Sequence, residues 1–135
     1  MQSPKGRILC TEDHADARDM LVCILESAGY HVTVTGNSAH ALAIAKREAF
    51  DLFLVDSWMP GLSGTELTTE IRKFNQSTPI LFYSGAAYEA DKQGALNAGA
   101  QCYLIKPEGI SILVEEVAKL IAEARIASCI CDTPE

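Results

Sequence analysis

Residues 52–64 read Leu52-Phe-Leu-Val-Asp-Ser-Trp-Met-Pro-Gly-Leu-Ser-Gly64. Four apolar residues run into an acid, and a loop follows. A short apolar run of this kind reads as a strand buried on both faces, the habit of strands in a parallel sheet. Three other stretches repeat the design: Arg7-Ile-Leu-Cys-Thr11 runs into Glu12 and Asp13, Ile80-Leu-Phe-Tyr83 into Ser84, and Cys102-Tyr-Leu-Ile105 into Lys106. In an open parallel sheet the crevice beyond the strand carboxyl ends is where ligands bind. The spacing therefore predicts one site assembled from four distant pieces, carrying three carboxylates, a hydroxyl and an ammonium.

Between these runs lie amphipathic segments, and with a further strand at His31–Thr35 the order becomes βαβαβαβαβα. That alternation predicts a doubly wound (βα)5 three-layer sandwich, with a five-stranded parallel sheet in the flavodoxin-like order 2-1-3-4-5. The first helix, about residues 15–28, places Met20, Leu21, Ile24, Leu25 and Ala28 on one face, and Gly29 supplies its stop. Ser38 is read as the cap of the second helix. Leu67, Ile71 and Phe74 form the inward face of the third. The fourth, near residues 88–98, contains Gly94 and offers mainly alanines and Leu96 for burial. Leu113, Val117, Leu120, Ile121 and Ala124 line the last, expected over residues 110–128. One domain over residues 6–127 is expected, with residues 128–135 as a tail without fold of its own.

Composition narrows the function classes. At 135 residues, 48% of them hydrophobic, the chain suffices for one globular core without disulfides. A formal net charge of -7 argues against direct nucleic-acid binding, which rests on Lys and Arg neutralising phosphates. No apolar stretch is long enough for membrane insertion, and residues 1–6 lack the apolar core of a signal peptide, so a cytoplasmic location is expected. Cys10, Cys23 and Cys102 lie on predicted strands and a helix and are expected to be reduced, while Cys129 and Cys131 lack nearby histidines for a metal site.

Any one strand-end acid reads equally well as a helix cap or turn residue. Glu12, Asp13 and Asp56 together do not, because the two strands that deliver them flank the switch point of the sheet. Carboxylates gathered in one crevice repel one another and call for a cation. Oxygen donors, with no Cys or His placed to recruit zinc, indicate Mg²⁺, held directly by Asp13 and Asp56 and through water by Glu12. Asp56 would then attack a phosphoryl donor as a carboxylate nucleophile, with Lys106 and Ser84 on the phosphoryl oxygens. A phosphatase of the aspartyl type places a second Asp two residues after its nucleophile; Trp58 stands there, so no enzyme with substrate turnover is expected.

The acidic pair Glu12-Asp13, the stretch Leu54–Gly64, Ser84-Gly-Ala86 and Gly99-Ala-Gln-Cys-Tyr-Leu-Ile-Lys-Pro107 carry a resemblance over residues 6–127. The chain resembles the response-regulator receiver domain of two-component and phosphorelay systems. That resemblance implies that Asp56 is the phosphoacceptor, charged by a histidine kinase or histidine phosphotransfer protein. It adds the backbone carbonyl of Trp58 to the Mg²⁺ ligands, makes Ser84 and Tyr103 the switch pair, and implies a cis bond between Lys106 and Pro107. It also implies an output surface on the fourth helix, fifth strand and fifth helix, facing a downstream protein target, an effector domain or a phosphorylation-dependent dimer partner. The alternative reading is a phosphorylation-independent scaffold. Glu12 where Asp is more frequent, Ser84 where Thr is common, and the bulky Trp58 are the chain's departures from the family pattern; Trp58 is expected to overhang the acceptor and alter the phosphoryl lifetime.

Overall fold

A computed structural model describes residues 5–132, with side chains described to residue 127. The strands are β1 (Arg7–Thr11), β2 (His31–Thr35), β3 (Leu52–Val55), β4 (Ile80–Ser84) and β5 (Cys102–Ile105), and the helices α1 (Ala15–Ser27), α2 (Ser38–Arg47), α3 (Gly64–Arg72), α4 (Glu89–Ala98) and α5 (Ile110–Asp132) alternate with them. All pairings are parallel, and the sheet order is β2-β1-β3-β4-β5, as the sequence pattern predicts.

Successive residues of a strand point to opposite faces, so an all-apolar strand feeds two cores at once. Ile8, Cys10, Leu52, Leu54, Leu81, Tyr83 and Leu104 pack on one face against Leu21 and Leu25 of α1 and Leu113, Val117 and Ile121 of α5. Leu9, Phe53, Val55, Ile80, Phe82 and Tyr103 pack on the other against Ala41 and Ile44 of α2, Leu67 and Ile71 of α3, and Ala95 of α4. Each fully buried Leu, Ile or Phe in these layers contributes about 2 kcal/mol. The central strands are therefore a stiff base for whatever leaves their carboxyl ends.

Four helical details differ from the sequence expectation. Ser38 does not cap α2: Asn37 does, its side chain accepting the His40 N–H, while Ser38 is the first helical residue and wholly buried. Met20 and Phe74, placed on inward faces by periodicity, are 41% and 42% exposed. Phe74 lies beyond the end of α3, where the ring instead sits under Lys46. Helix α5 continues to Asp132, through part of the stretch expected to be a tail. No Gly or Pro interrupts residues 110–133, so nothing local stops it. Cys129 and Cys131 fall on this helix, with side chains outside the described residues.

Helix α3 is closed by a capping box: Ser63 Oγ accepts the Glu66 N–H and Glu66 reaches back to the Ser63 N–H. Helix α4 buries only Ala95 among its ten residues. Among the described residues no helix is long and apolar enough to cross a membrane.

Candidate functional site

Register brings the four strand ends to one edge. Thr11 is level with both Thr35 and Val55, and Ser84 with Ile105. The next residues step off the sheet together: the Glu12 N–H donates to the Thr35 carbonyl, Asp56 N–H to the Thr11 carbonyl, and Lys106 N–H to the Ser84 carbonyl. Glu12, Asp56, Ser84 and Lys106 thus converge, as their spacing predicts, and Asp13 follows Glu12 into the same crevice.

The Lys106 ammonium is the hub. It donates to Glu12 Oε1 at 2.5 Å and to Asp56 Oδ2 at 3.2 Å. Both carboxylates are buried, Glu12 to 1% exposure and Asp56 to 6%. Burial, and beyond it the neighbouring Asp56, push the Glu12 carboxyl above its ordinary range in spite of the lysine. Burial also works against the Lys106 ammonium, but the Glu12 hydrogen bond and the Asp56 charge outweigh it, and its affinity for the proton rises. The site is a compressed cluster with more negative than positive charge.

Asp13 shows the same imbalance. Its Oδ1 is buried without a hydrogen-bond partner, although His14 Nδ1 lies 3.3 Å away. A buried carboxylate oxygen with no donor is costly, and a cation satisfies it. Oxygens of Glu12, Asp13 and Asp56 and a ring nitrogen of His14 all lie within 4.8 Å of one another. The donor set fits a divalent metal ion. Cys10, two residues before Glu12, is no ligand: burial first, then the Glu12 charge, pushes its thiol up to about 12.

Ser84 is wholly buried, and its hydroxyl accepts the Ala86 N–H at 3.1 Å, which leaves its own proton free to donate. Tyr103 is already turned inward. Its hydroxyl donates to the Ala86 carbonyl at 2.6 Å and shares a 3.2 Å hydrogen bond with the Ser57 hydroxyl, while the ring stacks on Phe82. The Lys106-Pro107 bond is cis. Trp58, expected over the acceptor, is 68% exposed and lines grooves with Ser57, Ala86, Ala87, Tyr88 and Asp91 that Asp56 does not border.

Several supporting roles do not follow from the sequence pattern. Arg18 donates to the carbonyls of Glu12 and Asp13 and so fixes the acidic turn, in a space that a Cβ at Gly36 would take from its guanidinium. Ser38 Oγ donates to the Pro60 carbonyl and accepts the Leu62 N–H, which ties the loop after Asp56 to α2. Gly64 is required because a Cβ there would collide with the Asp56 carbonyl and the Phe82 ring. The signals for these roles are tertiary contacts, although Gly64 closes the stretch that carries the family resemblance and Ser38 reads as a cap.

A doubly wound parallel sheet carrying paired acids, a buried Asp, a hydroxyl and a lysine at its carboxyl edge defines a class of α/β domain whose acidic crevice offers oxygen donors to a cation. The comparisons with known proteins name it. The profile described as "Response regulator receiver domain" matches residues 8–118. The response regulator receiver protein CpdR of Brucella abortus is 36% identical over 118 residues, covering 87% of this chain and 98% of that protein. The transcriptional activator protein PfeR of Pseudomonas aeruginosa is 36% identical over 123 residues, but the chain spans only 40% of its length. Among solved structures, the receiver domain of sensor histidine kinase PA1611 from Pseudomonas aeruginosa, with a magnesium ion coordinated in its active-site cleft, superposes with a TM-score of 0.80 at 30% identity, covering 87% of this chain and 98% of that one. The chain belongs to the response regulator receiver domain family.

Proposed function

We propose that Asp56 is the phosphoryl acceptor of this receiver domain and that the acidic cluster around it takes Mg²⁺. The observation that carries the reading is the joint state of four side chains: Lys106 holds Asp56 and Glu12 by one oxygen each, while a buried Asp13 oxygen has no hydrogen-bond partner. Asp13, Asp56 and the Trp58 carbonyl would hold the ion, with Glu12 acting through water. When bound, the ion neutralises charge on the reacting phosphoryl oxygens.

The chain's own groups do the rest by position. An Asp56 oxygen forms a bond to phosphorus as the N–P bond of a phosphohistidine breaks, and the electron pair returns to the imidazole nitrogen. Lys106 exchanges its contact with Asp56 Oδ2 for the incoming phosphoryl oxygens. The Ser84 hydroxyl, whose proton is uncommitted, donates to the same group. A histidine kinase or histidine phosphotransfer protein supplies the phosphoryl group; small acyl phosphates would serve in its place.

The readout we propose runs through Ser84 and Tyr103 to the surface of α4, β5 and α5, where a downstream protein, an effector domain or a second phosphorylated copy docks. The thin attachment of α4, one buried alanine, makes it the element most easily displaced. The test is intact-mass analysis after incubation with Mg²⁺ and a small phosphodonor. One phosphoryl adduct on the parent, absent from Asp56→Asn and absent under chelation, supports the assignment. An adduct that survives Asp56→Asn refutes it.

A further inference from the structure

His14 was not counted among the candidate ligands, yet it sits where a ligand would. Its Nδ1 lies 3.3 Å from Asp13 Oδ1 and 3.7 Å from Glu12 Oε2. Neighbouring donors around an ion with bonds near 2.1 Å stand about 3.0 Å apart, and opposite donors about 4.2 Å apart. The 3.3 Å separation from Asp13 Oδ1 is within a few tenths of an ångström of the neighbour spacing, and the longer one to Glu12 Oε2 suits a carboxylate that acts through water.

Three features leave the ring available. His14 occupies the N-cap position of α1, but its side chain makes no capping hydrogen bond. The side chain is 77% exposed, so it can rotate without disturbing the core. The acidic oxygens it faces are also the ones Lys106 leaves: the lysine takes Glu12 Oε1 and Asp56 Oδ2, while Glu12 Oε2 and Asp13 Oδ1 lie on the His14 side. The crevice has a lysine side and an imidazole side.

We infer that His14 Nδ1 is an additional ligand of the metal site, and that it tilts the site from Mg²⁺ toward first-row transition ions that accept nitrogen donors. Mg²⁺ keeps oxygen ligands and waters and gains little from an imidazole. Ni²⁺ and Zn²⁺ bind imidazole strongly and already stand higher in the affinity order of divalent ions. This inference rests on the metal reading proposed above and adds a residue and a selectivity to it.

The experiment is a pair of titrations, Mg²⁺ and Ni²⁺, followed by calorimetry and by the fluorescence of Trp58, on the parent, His14→Gln and Asp13→Asn. His14→Gln should weaken Ni²⁺ by at least about tenfold, the lower end of what a lost supporting partner costs a metal site. It should leave Mg²⁺ within about twofold, because Mg²⁺ replaces the ring with water. Asp13→Asn should weaken both ions, which separates this site from thiolate binding elsewhere on the chain. Equal effects of His14→Gln on the two ions, or none on Ni²⁺, would overturn the inference. Failure of the parent to bind Mg²⁺ while Ni²⁺ binding depends on His14 would instead overturn the Mg²⁺ reading and keep the ligand.

Discussion

Replacing Lys106 with methionine keeps the unbranched apolar stem of the side chain and removes the terminal ammonium with its charge. In the parent the ammonium lies 3.2 Å from Asp56 Oδ2 and closer still to Glu12 Oε1. At an effective dielectric near 20, a contact at that distance is worth on the order of 5 kcal/mol before desolvation. Three groups share the desolvation, and Lys106 retains 24% exposure, so the net loss is smaller. Lys106→Met should destabilise the metal-free domain by about 2–4 kcal/mol near neutral pH, somewhat under the roughly 3–5 kcal/mol lost when a fully buried pair is broken, because the lysine is partly exposed.

The pH dependence separates this from lost packing. Glu12 already has a folded-state proton affinity above its unfolded value, which burial and Asp56 cause. Folding therefore favours its protonated form, and the stability linked to that proton falls as pH rises from the unfolded carboxyl range through the raised folded value. Without the lysine the folded value moves higher. The deficit of the variant should accordingly open as pH rises through the carboxyl range and shrink near about pH 4. Lys106's own raised value keeps it charged in the parent up to the alkaline range, so it does not blur the comparison. Urea unfolding at several pH values gives the curve. Addition of Mg²⁺ should narrow the neutral-pH gap, because a site without the ammonium is more negative and binds the ion more tightly, and at saturating ion each tenfold gain in affinity stabilises the variant over the parent by about 1.4 kcal/mol. A deficit that is constant with pH and indifferent to Mg²⁺ would refute the electrostatic account.

Further expectations follow from the supporting contacts. Tyr103→Phe removes the hydroxyl that bridges Ala86 and Ser57 and should lower stability by about 1–2 kcal/mol, read as a shift in urea midpoint at constant m-value. Ser38→Ala frees the loop carrying Pro60 and Leu62; about 2 kcal/mol should be lost, and Mg²⁺ titration should show weaker binding because the same loop carries the Trp58 carbonyl. Gly64→Ala forces a Cβ against the Asp56 carbonyl and should cost about 3 kcal/mol in thermal or urea unfolding, with phosphoryl uptake falling alongside.

The parts of this architecture carried by period and punctuation were legible in advance. The four apolar runs with their terminal acid, hydroxyl or lysine located β1, β3, β4 and β5, and the alternation with helices gave the sheet order. Where two neighbours compete for one local role, pattern fails: Asn37 and Ser38 are both good caps, and only the tertiary bonds of Ser38 to Pro60 and Leu62 decide between them. Periodicity also overreaches at helix ends, as Phe74 shows, since the face it extrapolates no longer meets the sheet. The Ser57–Tyr103 contact joins residues 46 positions apart and leaves no trace in spacing. His14 was passed over for a related reason: its place in the cluster depends on the direction of a side chain at the start of α1, which adjacency to Asp13 does not specify.

The most direct test of the central claim is the position of the phosphoryl group. The parent protein, incubated with Mg²⁺ and a small phosphodonor and then treated with borohydride, should yield homoserine at residue 56 on peptide sequencing by mass spectrometry, because an acyl phosphate is reduced to the alcohol. Homoserine at that position alone is the predicted result. An unmodified Asp56 in a protein that carries the phosphoryl group elsewhere would contradict the account.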